Sequence, residues 1–241
     1  MTYILLILGI AAAFIVAERL LPGRALPHVP GWYLRVIFLN ACQLGIVILA
    51  AYTWNHWLLG WSIVSIGDTM PASLEGLLGW FVGTFVFYWW HRARHLSAWC
   101  WRVFHQVHHS PSRIETLTSF YKHPIEIAAN SILTALILYV ALGASLEAAA
   151  WYNIFAAAGE MFYHSNLKTP HWLGYFMQRP EHHAIHHQLG VHDFNYGDIT
   201  WWDRLFGTFR DTNLFVPACG FPNQNERHLA AMLLWQDVYD A

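Results

Sequence analysis

The chain has 241 residues, 56% of them hydrophobic and only 12% charged, whereas soluble domains carry about 25% charged residues. That shortfall argues against a soluble globular protein and toward lipid, and a formal net charge of −2 offers nothing to a nucleic acid. Three scattered cysteines, Cys42, Cys100 and Cys219, form no C-x-x-C pair, which argues against a disulfide framework and an iron–sulfur site.

In chain order, five segments are predicted as membrane helices. Residues 2–20 are apolar up to Glu18. No basic stretch precedes them and Glu18-Arg19 follows in place of a small-residue cleavage site, so the segment reads as a retained span rather than a signal peptide. Residues 36–58 are the second, with Asn40 and Gln43 as its polar pair. The third, 74–90, ends in Tyr88-Trp89-Trp90, an interfacial anchor. Residues 124–142 and 145–163 form a hairpin around Gly143-Ala144. A full crossing takes about 20 residues, so the last three are expected to be tilted or partly re-entrant. The fold class is therefore all-α: an integral membrane bundle of about four to five spans, with a cytoplasmic histidine-rich helical cap.

The basic residues orient this scheme. With the N-terminus outside, the inner segments carry Arg19, Arg24 and Arg35, then Arg92, Arg94, Arg102, Arg113 and Lys122, then Lys168, Arg179, Arg204, Arg210 and Arg227. These are all 13 basic residues of the chain, on the side where the positive-inside bias puts them, with the C-terminus cytoplasmic. The hairpin also returns residues 91–123 and 164–192 to one face, and those stretches hold all of the 16 histidines except His28, His56 and His228.

The histidines fall in clusters. His91 and His95 continue the third span at i and i+4, on one helix face. His105, His108 and His109 form an H-x-x-H-H pattern in which the adjacent pair diverges by about 100° and can address two different metals. His183, His186 and His187 repeat the pattern, preceded by His182. His164 ends the fifth span, and Glu160, four residues earlier on the same face, is either a ligand or the carboxylate that orients one. Asp193 is a candidate acceptor for a ligand imidazole. His28, His56 and His228 read as ordinary, His123 as the cap before Pro124, and His171 and His192 as surface or supporting residues. A structural zinc needs about four ligands and a catalytic one three, so nine placed histidines suit two metals. Imidazole binds iron, zinc, copper and nickel alike.

Together, His91-x-x-x-His95, His105-x-x-His108-His109, His164-Ser-Asn, Pro180-Glu-His182-His183-x-x-His186-His187 and the tail Asn195-Tyr-Gly197 … Trp202-Asp-Arg-Leu-Phe-Gly207-Thr208 resemble the fatty acid hydroxylase / sterol desaturase superfamily over about residues 75–210. The resemblance implies a catalytic core over 73–210, after N-terminal spans at 1–72 and before a cytoplasmic tail at 211–241. It implies metal-ligand roles for His91, His95, His105, His108, His109, His164, His183, His186 and His187, with His182 a weaker candidate. It further implies two Fe ions, with zinc as a substitute in a purified sample, and O2 as co-substrate. The substrate would be a lipid entering from the bilayer, attacked at a C–H bond by hydroxylation or by desaturation. No electron carrier is fused to the sequence, so an external donor, a separate carrier with its reductase, is expected. Arg92, Arg94 and Arg102 are exposed cations for an acidic carrier, or simply solvated. Trp202-Asp203-Arg204 is expected as a structural salt bridge, and residues 195–197 as a turn returning the chain to the site.

Two other classes make different demands. A metal transporter or sensor would string ligands across the depth of the bilayer. A membrane zinc hydrolase would carry an H-E-x-x-H helix, which this sequence lacks.

Overall fold

The computed structural model describes residues 2–67 and 70–239, so positions 68 and 69 of the loop expected over 59–73, and positions 1, 240 and 241, lie outside the described residues. Among the described residues every regular element is a helix. Two isolated β-bridges join Pro22 to Leu167 and Gln188 to Cys219.

Helix α1 (Thr2–Leu20) ends just before Pro22, where the missing N–H stops the ladder. Helix α2 (Trp32–Tyr52) follows Pro30 and Gly31. The glycine sits at φ 71°, a left-handed turn that a Cβ would penalise. A short α3 (Trp54–Leu58) continues that rod after a break at Thr53. Helix α4 (Ala72–Leu96) carries the third expected span and His91 and His95 as one continuous rod, as the sequence predicts. Ser97 then caps α5 (Ala98–Cys100), its Oγ accepting from the Cys100 N–H at 3.3 Å. A π-helical turn, Trp101–His105, leads into α6 (Gln106–His109).

Helix α7 (Pro124–Ala135) begins as its sequence predicts. Pro124 occupies the first turn and the His123 ring accepts from the Ile125 N–H at 3.0 Å. It continues as a π-helical stretch, Leu136–Ala141. Ser145 caps α8 (Leu146–His164), its Oγ accepting from Ala148 N–H at 3.1 Å. Three short helices complete the chain: α9 (Pro180–His186), α10 (Thr200–Leu205) and α11 (Leu229–Leu233).

All five predicted spans are helical, and three of them, Thr2–Leu20, Trp32–Leu58 and Pro124–Ala141, are long and apolar enough to cross a membrane. Helices α1 and α2 expose Leu5, Leu8, Val16, Leu34, Ile37 and Leu44, each more than half accessible, the surface expected of a lipid-facing rod. The remaining two, α4 and α8, carry more polar residues and pack against each other. Gly76 and Gly83 of α4 allow their close approach. A Cβ on Gly76 would lie 2.6 Å from the Ala148 carbonyl oxygen and from the Trp151 Cβ, and one on Gly83 would lie 3.0 Å from the Tyr152 ring. Between the two rods, the buried Glu75 carboxylate accepts from the Ser145 hydroxyl at 3.0 Å.

Since Gly76 meets Ala148 and Gly83 meets Tyr152, α4 and α8 run the same way, with α7 as the return. Their C-terminal ends, at His95 and His164, therefore reach one end of the bundle. At the other end the loop at 63–66 bonds to the α7–α8 turn, with Ile63 N–H donating to Val140 O at 2.7 Å and Ile66 N–H to Leu142 O at 3.0 Å. The C-terminal segment 216–239 wraps the histidine end. Phe221, Met232 and Val238 share a core with Trp32, Val36, Leu39, Val107 and Tyr121.

Candidate metal centre

The nine histidines are brought together in two groups. His91, His95, His105, His109 and His186 place one ligand nitrogen each within 4.8 Å of one another, and so do His108, His164, His183 and His187. Seven of the nine are buried and His91 and His95 are part-buried. The two H-x-x-H-H motifs divide in the same manner. His105 and His109 join the first group while His108 joins the second, and His183 and His187 join the second while His186 joins the first. Adjacent helical residues point about 100° apart, so each short helix serves both groups.

In five of the nine rings a contact at Nδ1 sets which nitrogen is presented. His91 Nδ1–H donates to Tyr196 O (2.7 Å) and His186 Nδ1–H to Phe194 O (2.8 Å). His164 Nδ1–H donates to Glu160 O (2.8 Å) and His108 Nδ1–H to Tyr121 O (3.3 Å). His105 Nδ1 faces the Glu126 carboxylate at 3.0 Å, and the same carboxylate is paired with Arg94. In a neutral ring whose Nδ1 carries the proton, Nε2 is a bare lone pair. Burial, the leading cause in all nine, holds these imidazoles below the usual histidine range, His164 at about 4 and His186 at about 3.

The result is a cradle of lone pairs. In the first group the Nε2 atoms of His91, His95, His105, His109 and His186 are buried without a protein partner. In the second, His108 Nε2 and His164 Nε2 lie 3.2 Å apart although both Nδ1 atoms already carry the proton, so no hydrogen bond joins them. His183 Nε2 lies 3.1 Å from both His164 Nε2 and His187 Nε2. The bare His108 and His164 nitrogens repel at this spacing unless a cation lies between them. Imidazoles bound to one metal at about 2.0–2.1 Å have their nitrogens about 3 Å apart. The donor set therefore fits two metal ions, held by neutral imidazoles of which four are oriented by carbonyls and one by a carboxylate.

The other candidates sit apart from the ligand nitrogens. Glu160 lies on the Nδ1 side of His164, its Oε1 paired with Lys122 Nζ at 2.7 Å. His182 is buried and pairs with the exposed Asp211 at 2.8 Å, and Asp193 is exposed and belongs to neither group. Arg94, expected as an exposed cation, is buried against Glu126, because its place three residues after His91 turns it toward α7. Arg102 is exposed as expected. The expected Asp203–Arg204 bridge does not form among the described residues, since neighbours on a helix diverge. Asp203 accepts instead from the N–H groups of Tyr196 and Gly197 (2.8 Å each) and from Thr208 (2.7 Å), while Arg204 lies over Phe209, 3.9 Å from its centroid. Those bonds pin the 195–197 turn, with Asn195 at φ 60°, against His91.

Several neighbours were missed. Glu126 was legible in principle, as a carboxylate in the first turn of an apolar helix that demands a partner. His192, expected as a surface or supporting residue, lies edge-on 5.1 Å from His109, with both ring nitrogens unpartnered. Tyr163 donates to Asp198 at 3.2 Å, and burial followed by the charge of Glu160 pushes Asp198 up to about 7. Trp101 lies against the first group, 5.2 Å from His109 and 5.4 Å from His95.

This constellation is two histidine groups, each of which could hold a metal ion. The family model for fatty acid hydroxylase matches residues 76–208, more than half of the sequence, and the chain belongs to that family. Among its relatives, ornithine lipid hydroxylase OlsE of Rhizobium tropici is 30% identical over 148 residues, 60% of this chain and 44% of that protein. Sphinganine C4-monooxygenase 2 of Arabidopsis thaliana is 25% identical over 134 residues, 54% of this chain and 52% of that protein. Alkylglycerol monooxygenase of Caenorhabditis elegans is 29% identical over 167 residues, 68% of this chain and 31% of that protein. The chain thus spans about half the length of these relatives or less. No solved structure matches it.

Proposed function

We propose that the chain is a membrane di-iron oxidoreductase, an O2-dependent hydroxylase acting on a C–H bond of a fatty acyl, sterol or related lipid. The observation that carries this reading is the pair of bare Nε2 atoms on His108 and His164, beside five further unpartnered Nε2 atoms. His91, His95, His105, His109 and His186 would hold one iron, and His108, His164, His183 and His187 the other. When bound, the two irons supply O2 activation and the electron transfers that an unactivated C–H bond requires.

The chain's own part is to bind, orient and exclude. The carbonyls of Tyr121, Glu160, Phe194 and Tyr196 hold four rings in the tautomer that presents Nε2. Glu126 does the same for His105. Trp101 and Tyr163 cover the groups with aromatic faces, Tyr163 lying 4.5 Å from His183. The ligands gather at one end of the bundle, where a transporter would spread them along its depth. That end carries the basic segments, so we read it as cytoplasmic, with the N-terminus outside. The lipid would enter from the bilayer, and electrons would come from a separate carrier and its reductase.

Elemental analysis tests this reading on protein purified anaerobically from iron-replete cells in mild detergent. Two irons per chain are expected, followed by gain of one oxygen atom in a lipid supplied with O2 and a reductant. One metal or none would overturn the two-centre site. Two zincs that iron cannot replace would overturn the oxygenase. Loss of two hydrogens without gain of oxygen would make the protein a desaturase.

A further inference from the structure

A cavity of ≈ 470 Å³ opens at the Arg19 end of α1, lined by Glu18, Arg19, Arg24, Arg113 and Asn166 among others. None of the nine histidines lines it, although Asn166 stands two residues past His164 and takes the Arg24 backbone N–H at 3.2 Å. Three guanidiniums face two carboxylates. Glu115 pairs with both Arg19 (2.6 Å) and Arg113. Glu18 Oε2 accepts from Thr116 N–H, Thr116 Oγ1 and Asn166 N–H at 2.9–3.0 Å. Three guanidiniums against two carboxylates leave one excess positive charge; Glu18 keeps a buried Oε1 without a partner, and Arg24 has no ion pair among the described residues. Its guanidinium donates only to Val216 O (3.1 Å) and the Cys219 thiol (3.3 Å), lies 5.2 Å over the Phe215 ring, and keeps a buried Nε without a partner.

The surroundings are apolar. Leu20 and Leu21, between the lining residues Arg19 and Pro22, are 73% and 71% exposed. Helix α1 above them is a candidate membrane span. A guanidinium without an ion pair at the foot of a lipid-facing rod, beside the exposed Leu20 and Leu21, matches a molecule with an anionic head and an apolar tail. A planar guanidinium recognises phosphate and carboxylate oxygens in a two-point geometry. We propose that this cavity binds the anionic headgroup of a membrane lipid, with Arg24 as the principal contact and Arg19 and Arg113 at its side.

The test is native mass spectrometry of the full chain released from mixed micelles of phosphatidylglycerol and phosphatidylcholine. The wild type is expected to retain phosphatidylglycerol in preference. Arg24→Gln should lower that retention by about tenfold, the scale of one charge-assisted contact. Arg24→Lys should keep part of it, and Arg102→Gln, at an exposed position, should keep all of it. Equal retention of the two lipids by the wild type would overturn the site even if Arg24→Gln fails to fold. Unchanged preference in a folded Arg24→Gln would do the same. Displacement of phosphatidylglycerol by millimolar inorganic phosphate would leave an anion pocket and overturn the lipid. Since no histidine is touched, iron content measured on the same samples separates this outcome from the fate of the metal centre.

Discussion

The two histidine groups differ in number and in support. The first has five imidazoles, two of them one turn apart on a long helix, with a buried Arg94–Glu126 pair behind His105. The second has four, drawn from α6, α8 and α9, with Lys122 and Glu160 behind His164. The first can lose one ring and keep four; the second falls to three.

The largest expected effect tests that asymmetry. His183→Ala should remove the second metal and abolish turnover, while His109→Ala should retain near two metals per chain by elemental analysis. Equal losses would show that the groups are not independent. Acidification comes next. Free imidazoles have pKa values of about 6.5, and these buried rings sit lower, so the unfolded chain binds protons first as pH falls. Stability of the metal-free protein is then complete above about 6.5. It declines toward pH 4 by about 1.4 kcal/mol per pH unit for each titrating ring, read as a falling thermal midpoint.

Gly76→Val should cost about 1–3 kcal/mol by forcing α4 from α8 and should loosen both metals together, which a chelator titration would register. Glu126→Gln should weaken only the first metal, by about 10–100-fold, since it touches His105 alone among the ligands. His56→Ala, remote from both groups, should leave metal content unchanged.

The long periodic features were legible in the sequence. The five helices, the continuation of α4 through His95, the His123 cap and the divergence of His108 from His109 all follow from local spacing. Which rings share a metal was not legible. Grouping by motif would have kept His186 with His183 and His187, whereas the fold sends it to the α4 rings. The partners of Arg94 and Asp203 were also hidden, because each is chosen by a segment more than five residues away or by backbone N–H groups that leave no mark in side-chain patterns.

The 194–196 loop holds one ring from α4 and one from α9 through two carbonyls, Tyr196 to His91 and Phe194 to His186. His91 precedes its clamp by 105 positions. A ribosome adding about 5–20 residues per second takes about 5–20 s to make that stretch. During this interval the first pair of histidines is already synthesised while the loop that orients it does not yet exist. The first group can thus be completed only after all five predicted spans have been synthesised.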